Sequence, residues 1–191
     1  MKMETEITVL VKTDFESLKK ELNSHGFVLK EEYEVDDIYM IPNGVNLSEM
    51  PKLEILQKCI LVRDVVGIEK SLVYKYKKYA DNGDILEQGK VKCPINNIDK
   101  AINFMEAINY KKLFNVFDKC NVFANDESEL IVELVNDKYI FIEMESKPEY
   151  INRKYESVEE LKEDLNRYNL PIDNSNYFVK KAQLILEEVL K

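Results

Sequence analysis

Alternation of apolar and polar positions organises most of this chain. In Glu4-Thr5-Glu6-Ile7-Thr8-Val9-Leu10-Val11-Lys12, residues Ile7, Val9 and Val11 fall on one side and mostly polar residues on the other, the period of a half-buried strand. Thr13-Asp14-Phe15-Glu16 then offers a capping box, Phe15, Leu18 and Leu22 line one helical face, and Gly26 stops the helix. A second strand is predicted over Tyr33–Met40, ending at the Pro42-Asn43-Gly44 turn, while residues 45–56 read as a loop or a short helix. Strands follow at Lys58–Asp64, Lys70–Lys78 and Asp84–Lys92, with Gly67 and Asp81-Asn82-Gly83 as turns. Ile98, Ala101, Ile102, Met105 and Ile108 repeat at helical spacing. Three more strands are predicted at Leu113–Ala124, Glu129–Val135 and Lys138–Ser146, the last two joined by Asn136-Asp137. The tail reads as helical, with a capping box at Ser157-Val158-Glu159-Glu160 and a final stripe of Phe178, Ala182, Ile185 and Val189. Strands grouped into hairpins and separated by helices predict an α+β layout with an antiparallel sheet.

The strands divide unusually cleanly into two faces. Ile7, Val9, Val11, Ile60, Val62, Leu130, Val132, Leu134, Ile140 and Ile142 supply an apolar face for helices to cover. The other face collects Glu4, Glu6, Arg63, Lys75, Lys77, Glu133, Glu143 and Glu145. Such a face either meets solvent as an ordinary outer surface or turns inward around a wet, ligand-holding tunnel. A dry interior is excluded, because each unpaired buried ion would cost several kcal/mol, on the order of the whole stability margin. Glu4 with Glu6, and Glu143 with Glu145, would each project two carboxylates from one surface, a donor set suited to a hard divalent cation.

The remaining composition narrows the chemistry. At 191 residues the chain is long enough for one domain with a substantial core, expected over residues 1–191 with the helices of about 157–190 packed on the sheet. Its formal net charge of −9 argues against a partner in nucleic acid or an anionic membrane. Tyr74, Tyr76 and Tyr79 do interleave with Lys75, Lys77 and Lys78 in the manner of a single-strand binder, but the acidic total opposes that reading. No apolar run reaches membrane-spanning length and no signal-like stretch opens the chain, so a cytoplasmic location is expected. Cys59, Cys93 and Cys120 are isolated and read as free thiols. The single histidine, His25, sits beside a helix-stopping glycine. Zinc and histidine-assisted nucleophilic chemistry are poorly supplied, and any metal should be held by oxygen.

Taken in order, these residues resemble the CYTH family, the triphosphate tunnel metalloenzymes that include class IV adenylate cyclases and thiamine triphosphatases. Glu4-x-Glu6 resembles the start of the family's Glu-x-Glu-x-Lys signature, and Asp37-Ile38-Tyr39 its Asp-x-Tyr strand. Leu61-Val62-Arg63 stands at an Arg-x-Arg, and Leu72-Val73-Tyr74-Lys75 at a hydrophobic-x-Tyr-Lys strand. Glu87 stands at an inward acid, Lys119 at the Lys of a Lys-x-Arg, and Glu133 at a late acid. Phe141-Ile142-Glu143-Met144-Glu145 resembles the closing aromatic-x-Glu-x-Glu, and Asn176-Tyr177 a Ser-Tyr before the last helix. The resemblance implies an antiparallel β-barrel, a tunnel with a charged interior and helices packed outside. It implies Mg²⁺ or Mn²⁺ held by Glu4, Glu6, Glu143 and Glu145, with Glu87 and Glu133 as further ligands. Arg63, Lys75, Lys77 and Lys119 would grip a nucleotide or polyphosphate, and Glu4, Glu6 and Lys75 would carry catalysis. The implied activity is cyclisation of ATP or hydrolysis of a triphosphate, with a catalytically impaired module binding a phosphorylated ligand or a partner protein as the alternative. Oligomeric state, homodimer included, is left open. Three family cations are missing, replaced by Thr8, Leu61 and Asn121. Uncompensated, that loss would weaken triphosphate binding by about 5–9 kcal/mol.

Overall fold

A computed structural model describes residues 5–79 and 85–191, with the side chains of 77–79 and 85–88 outside that description. Its strands are β1 (Glu6–Leu10), β2 (Val28–Pro42), β3 (Ile60–Val65), β4 (Glu69–Tyr79), β5 (Ile85–Pro94), β6 (Tyr110–Ala124), β7 (Glu129–Val135) and β8 (Tyr139–Glu145). The helices are α1 (Phe15–Ser24), α2 (Lys52–Gln57), α3 (Ile98–Ala107), α4 (Val158–Asn166) and α5 (Lys181–Val189). The strands form one eight-stranded sheet in the order β1-β8-β7-β6-β2-β3-β4-β5. Every described pairing between named strands is antiparallel, so the α+β architecture expected from the pattern is present. Among the described residues no helix is long and apolar enough to cross a membrane.

The chain resolves into two compact units, each assembled from separated stretches: one from 1–3, 34–117 and 180–191, the other from 4–33 and 118–179. In the second unit, Ile7 and Val9 of β1, Ile142 and Met144 of β8, Leu130 and Val132 of β7 and Phe123 of β6 form one apolar face. Leu18 and Leu22 of α1 and Leu161 and Leu165 of α4 close over it. Asp14 is the N-cap of α1, its carboxylate accepting the Ser17 N–H at 2.9 Å, so the helix starts one residue later than a Thr13 box implies. Ser157 caps α4 as expected, accepting from the Glu160 N–H. The segment before α5 runs along the outer edge of β1: Thr8 N–H donates to Tyr177, and Val179 N–H returns to Thr8. That edge is thereby blunted.

In the first unit, α3 packs Ala101 and Met105 onto Ile38, Met40 and Val62. The opposite side of those strands carries Tyr39, Leu61, Val73, Phe114 and Val116, all nearly or fully buried, around the pair Asp37–Arg63. Tyr39 stacks on Phe114 with centroids 4.4 Å apart. The ambiguous stretch 45–56 contains α2, which buries Ile55. The final apolar stripe is reassigned: Phe178 precedes α5, Val189 is exposed, and Ile185 and Leu186 are the buried pair.

Candidate functional site

Register decides which side chains can cooperate. On the second unit, β1 and β8 are neighbours, with Glu6 directly opposite Glu145 and Thr8 opposite Glu143. Directly opposed residues share a sheet face, so the three glutamates project from the side away from α1 and α4. Carboxylate oxygens of Glu6, Glu143 and Glu145 all lie within 4.8 Å of one another. Three ligands of an octahedral Mg²⁺ include at least two adjacent pairs, about 3 Å apart for its 2.0–2.1 Å bonds. The trio would have to draw closer together to share one ion. The donors are all oxygen, as that class of ion requires.

Glu133 belongs to the same face one strand further on, opposite both Phe141 and Cys120, and is only 6% exposed. Tyr33 of β2 joins it. Its phenol is hydrogen-bonded with Cys120, and burial first, then Cys120 and the carboxylates of Glu133 and Glu143, hold it well above the ordinary tyrosine range. Tyr33 therefore acts as a neutral hydrogen-bonding group, not as a base. Glu129, two residues before Ile131, also sits on this strand, but its carboxylate is occupied by the N–H groups of Glu149 at 3.0 Å and Tyr150 at 2.6 Å. Glu4 lies outside the described residues.

Lys119 requires correction. It pairs with Leu134, while its neighbour Cys120 pairs with Glu133, so alternation puts Lys119 on the opposite face from the glutamates. Its ammonium stands 2.7 Å from Asp137 at the β7–β8 turn. Asn121 shares that face and donates to the Val132 carbonyl at 3.4 Å. Reading the strand one residue out of frame exchanges its faces.

Arg63, Lys75, Lys90 and Lys92 of the first unit also share one face. Asp37, Arg63 and Ser71 form one rung across β2, β3 and β4. Arg63 donates through Nε and Nη2 to the two Asp37 oxygens at 2.6 and 2.5 Å, a fork that fixes the guanidinium plane. Lys75 follows two rungs along β4, directly opposite Lys90 of β5, and Lys92 stands opposite Val73. Lys92 is ion-paired with Glu69. Lys90 and Lys92 fall in no motif of the sequence; their place on this face comes from the register of β5. The backbone pairs Glu87 with Lys78 and Lys77 with Gln88; the expectations for the Glu87 and Lys77 side chains fall outside the described residues.

No protein-family model matches the chain, and no curated protein matches it by sequence. Solved structures do. A Pyrococcus horikoshii protein superposes with a TM-score of 0.64 at 16% identity, over 96% of this chain and 99% of its own. An adenylate cyclase candidate from Vibrio parahaemolyticus gives 0.60 at 12% identity, over 99% and 98%. An adenylyl cyclase candidate from Hippeastrum, with a dominant triphosphatase activity, gives 0.61 at 12% identity, over 97% and 96%. Across nearly its full length, then, this chain shares the α+β fold of those structures, and its sheet is not closed into a barrel by hydrogen bonds between β1 and β5 among the described residues.

Proposed function

We propose that this protein is a metal-dependent enzyme acting on a nucleotide or other triphosphate, by hydrolysis or by cyclisation of ATP. One observation carries the reading: Glu6, Glu143 and Glu145 bring carboxylate oxygens within 4.8 Å from two adjacent strands. The likeness to a Hippeastrum protein with triphosphatase activity supports the substrate class. Mg²⁺ or Mn²⁺ held there would supply charge neutralisation at phosphate oxygens, the main requirement of phosphoryl chemistry. Glu6, Glu143 and Glu145 would hold the ion, and Glu133 and Tyr33 line the more buried part of their face. Glu4 and Glu87 stand as further carboxylates of the reading. For the phosphates it takes Arg63 and Lys75, which share a face of β3 and β4, with Lys77 on the same strand.

A second reading, binding of a phosphorylated ligand without turnover, is favoured by two findings. Arg63 is already forked onto Asp37, and Lys119 stands on the helix-packed face. Purified protein with Mg²⁺ or Mn²⁺, offered ATP, inorganic triphosphate and thiamine triphosphate, separates the two. The enzyme reading expects turnover that Glu6→Ala and Glu145→Ala abolish while the fold persists. Binding with no turnover of any of the three would establish the second reading instead, and equal rates in both acid variants would remove the metal site.

A further inference from the structure

Residues 146–155 leave β8 directly after Glu145 and form neither helix nor strand. The two ends of this segment meet. The Tyr155 N–H donates to the Ser146 carbonyl at 3.0 Å, and the Ser146 N–H donates to the Thr5 carbonyl at 2.8 Å. Tyr155 itself is 2% exposed, so the base of this Ω-loop is anchored. Its middle is tied elsewhere. Glu129 shares a face of β7 with Ile131 and Glu133, and Ile131 stands directly opposite Glu143, so Glu129 comes level with Glu145 on the acid face. The buried Glu129 accepts the N–H groups of Glu149 at 3.0 Å and Tyr150 at 2.6 Å. The loop backbone at 149–150 therefore lies on the side of the sheet that carries Glu6, Glu143 and Glu145. Tyr150 reaches further still, its hydroxyl donating to Glu31 at 2.8 Å. Glu31 precedes Tyr33 by two residues and so shares its face of β2, with β6 between β2 and β7. From β8 across β7 and β6 to β2, the loop straps one end of the acid face.

We propose that this strap is a lid on the acid face, with Glu129 as its positioning residue and the Tyr150–Glu31 bond as its latch. The proposal rests on the metal-dependent triphosphate reading and adds to it the element that admits and retains the ligand. Glu129 is level with Glu145, yet its carboxylate is turned to the strap, so it holds the lid and is not a further ligand of the ion. The two ties differ in strength. The bonds to Glu129 are partly buried, accept into a carboxylate and include one of 2.6 Å, the strong kind. The latch joins two side chains in water, where competition from solvent leaves it weak. A strap firm at its base and weakly held at its tip opens at Tyr150. Closed, it keeps water from the end of the face where phosphates would meet the ion, the usual work of such a loop.

Amide hydrogen exchange of the full-length protein, read by NMR, follows the strap directly through the Glu149 and Tyr150 N–H groups. Without ligand, Tyr150→Phe should exchange these two amides about fivefold faster than the wild type, the loss of one exposed hydrogen bond. Glu129→Gln keeps one acceptor and sets an NH₂ against the second N–H, and should exchange them at least about tenfold faster. In both variants the amides of the β7–β8 ladder should keep their wild-type rates. Mn²⁺ with inorganic triphosphate should slow exchange at 149 and 150 in the wild type, a response that a merely structural loop would not give. Stopped-flow release of that complex into excess EDTA should be about fivefold faster in Tyr150→Phe, while its Kd by isothermal titration stays near the wild-type value, since a gate speeds entry and exit alike. Wild-type exchange in Glu129→Gln overturns the proposal. So does a wild type that binds Mn²⁺ and triphosphate with no change at 149 and 150, which leaves the metal site standing. A wild type that binds neither removes the metal reading and the lid with it.

Discussion

Replacing Asp37 by Asn keeps the side chain's shape and removes the charge that faces Arg63. The structure sets the size of the effect. Asp37 accepts two short bonds from one guanidinium, its side chain is 5% exposed, and that of Arg63 is 21% exposed. Breaking a buried pair by neutralising one member costs about 3–5 kcal/mol, because the other charge is left desolvated and unmatched. With Arg63 keeping some access to water, the lower end, about 3 kcal/mol, is expected. In a chain of this length that corresponds to a drop in Tm of about 6–12 °C. Calorimetry and urea unfolding of Asp37→Asn, Arg63→Met and the double variant measure it. The double variant should recover about 2 kcal/mol relative to the sum of the singles, since it leaves no orphaned charge. A loss below about 1 kcal/mol in Asp37→Asn, or strictly additive singles, would refute the view that this pair is a preset, mutually dependent unit. The same variants carry a functional readout: with its fork gone, Arg63 should hold triphosphate less well, seen as a raised KM.

The second unit offers a comparable test away from the acid face. Asp164, its side chain 1% exposed, accepts from Ser128 Oγ, Tyr155 Oη and Arg153 Nη1 and is ion-paired with Arg167, and so ties α4 to the start of β7. Asp164→Ala should cost about 3–5 kcal/mol in denaturant unfolding without altering metal binding. Alkaline pH probes the first unit. Burial pushes the Cys59 thiol from 9.0 up to about 12. The unfolded chain therefore releases this proton first, so stability is full below pH 9 and falls as pH rises toward the folded value. By pH 10 the loss is about 1.4 kcal/mol, and Cys59→Ala should flatten the stability profile by that amount between pH 8 and 10.

How far the sequence could be read varied with how strongly each segment alternates. The β7–β8 hairpin was legible almost to the residue, because both strands alternate and Asn136 and Asp137 tolerate the left-handed turn, with φ of 50° and 53°. The early start of β2 was not: Val28-Leu29-Lys30-Glu31-Glu32 has no period, and its first three residues are exposed. That hid Tyr33 among strand-opening residues, although it sits beside the acids. β6 failed differently. Burial alternates from Phe114 to Cys120 with Lys119 on the less buried side, so the motif match, not the strand pattern, had grouped Lys119 with the acids.

Acids and bases on this sheet were unequally readable for a reason in the side chains themselves. A metal demands oxygens within a narrow shell around one point, and a glutamate one rung out of place cannot reach it. Were Glu6, Glu143 and Glu145 to share an ion, they would have to occupy particular rungs, as their register on β1 and β8 allows, and a short motif suffices to pick them out. A phosphate chain demands only positive charge nearby, and lysine delivers that from the end of a flexible four-carbon stem. Motif matching is therefore a stricter test for carboxylates, where the rung decides reach, than for lysines, where only nearby charge is needed.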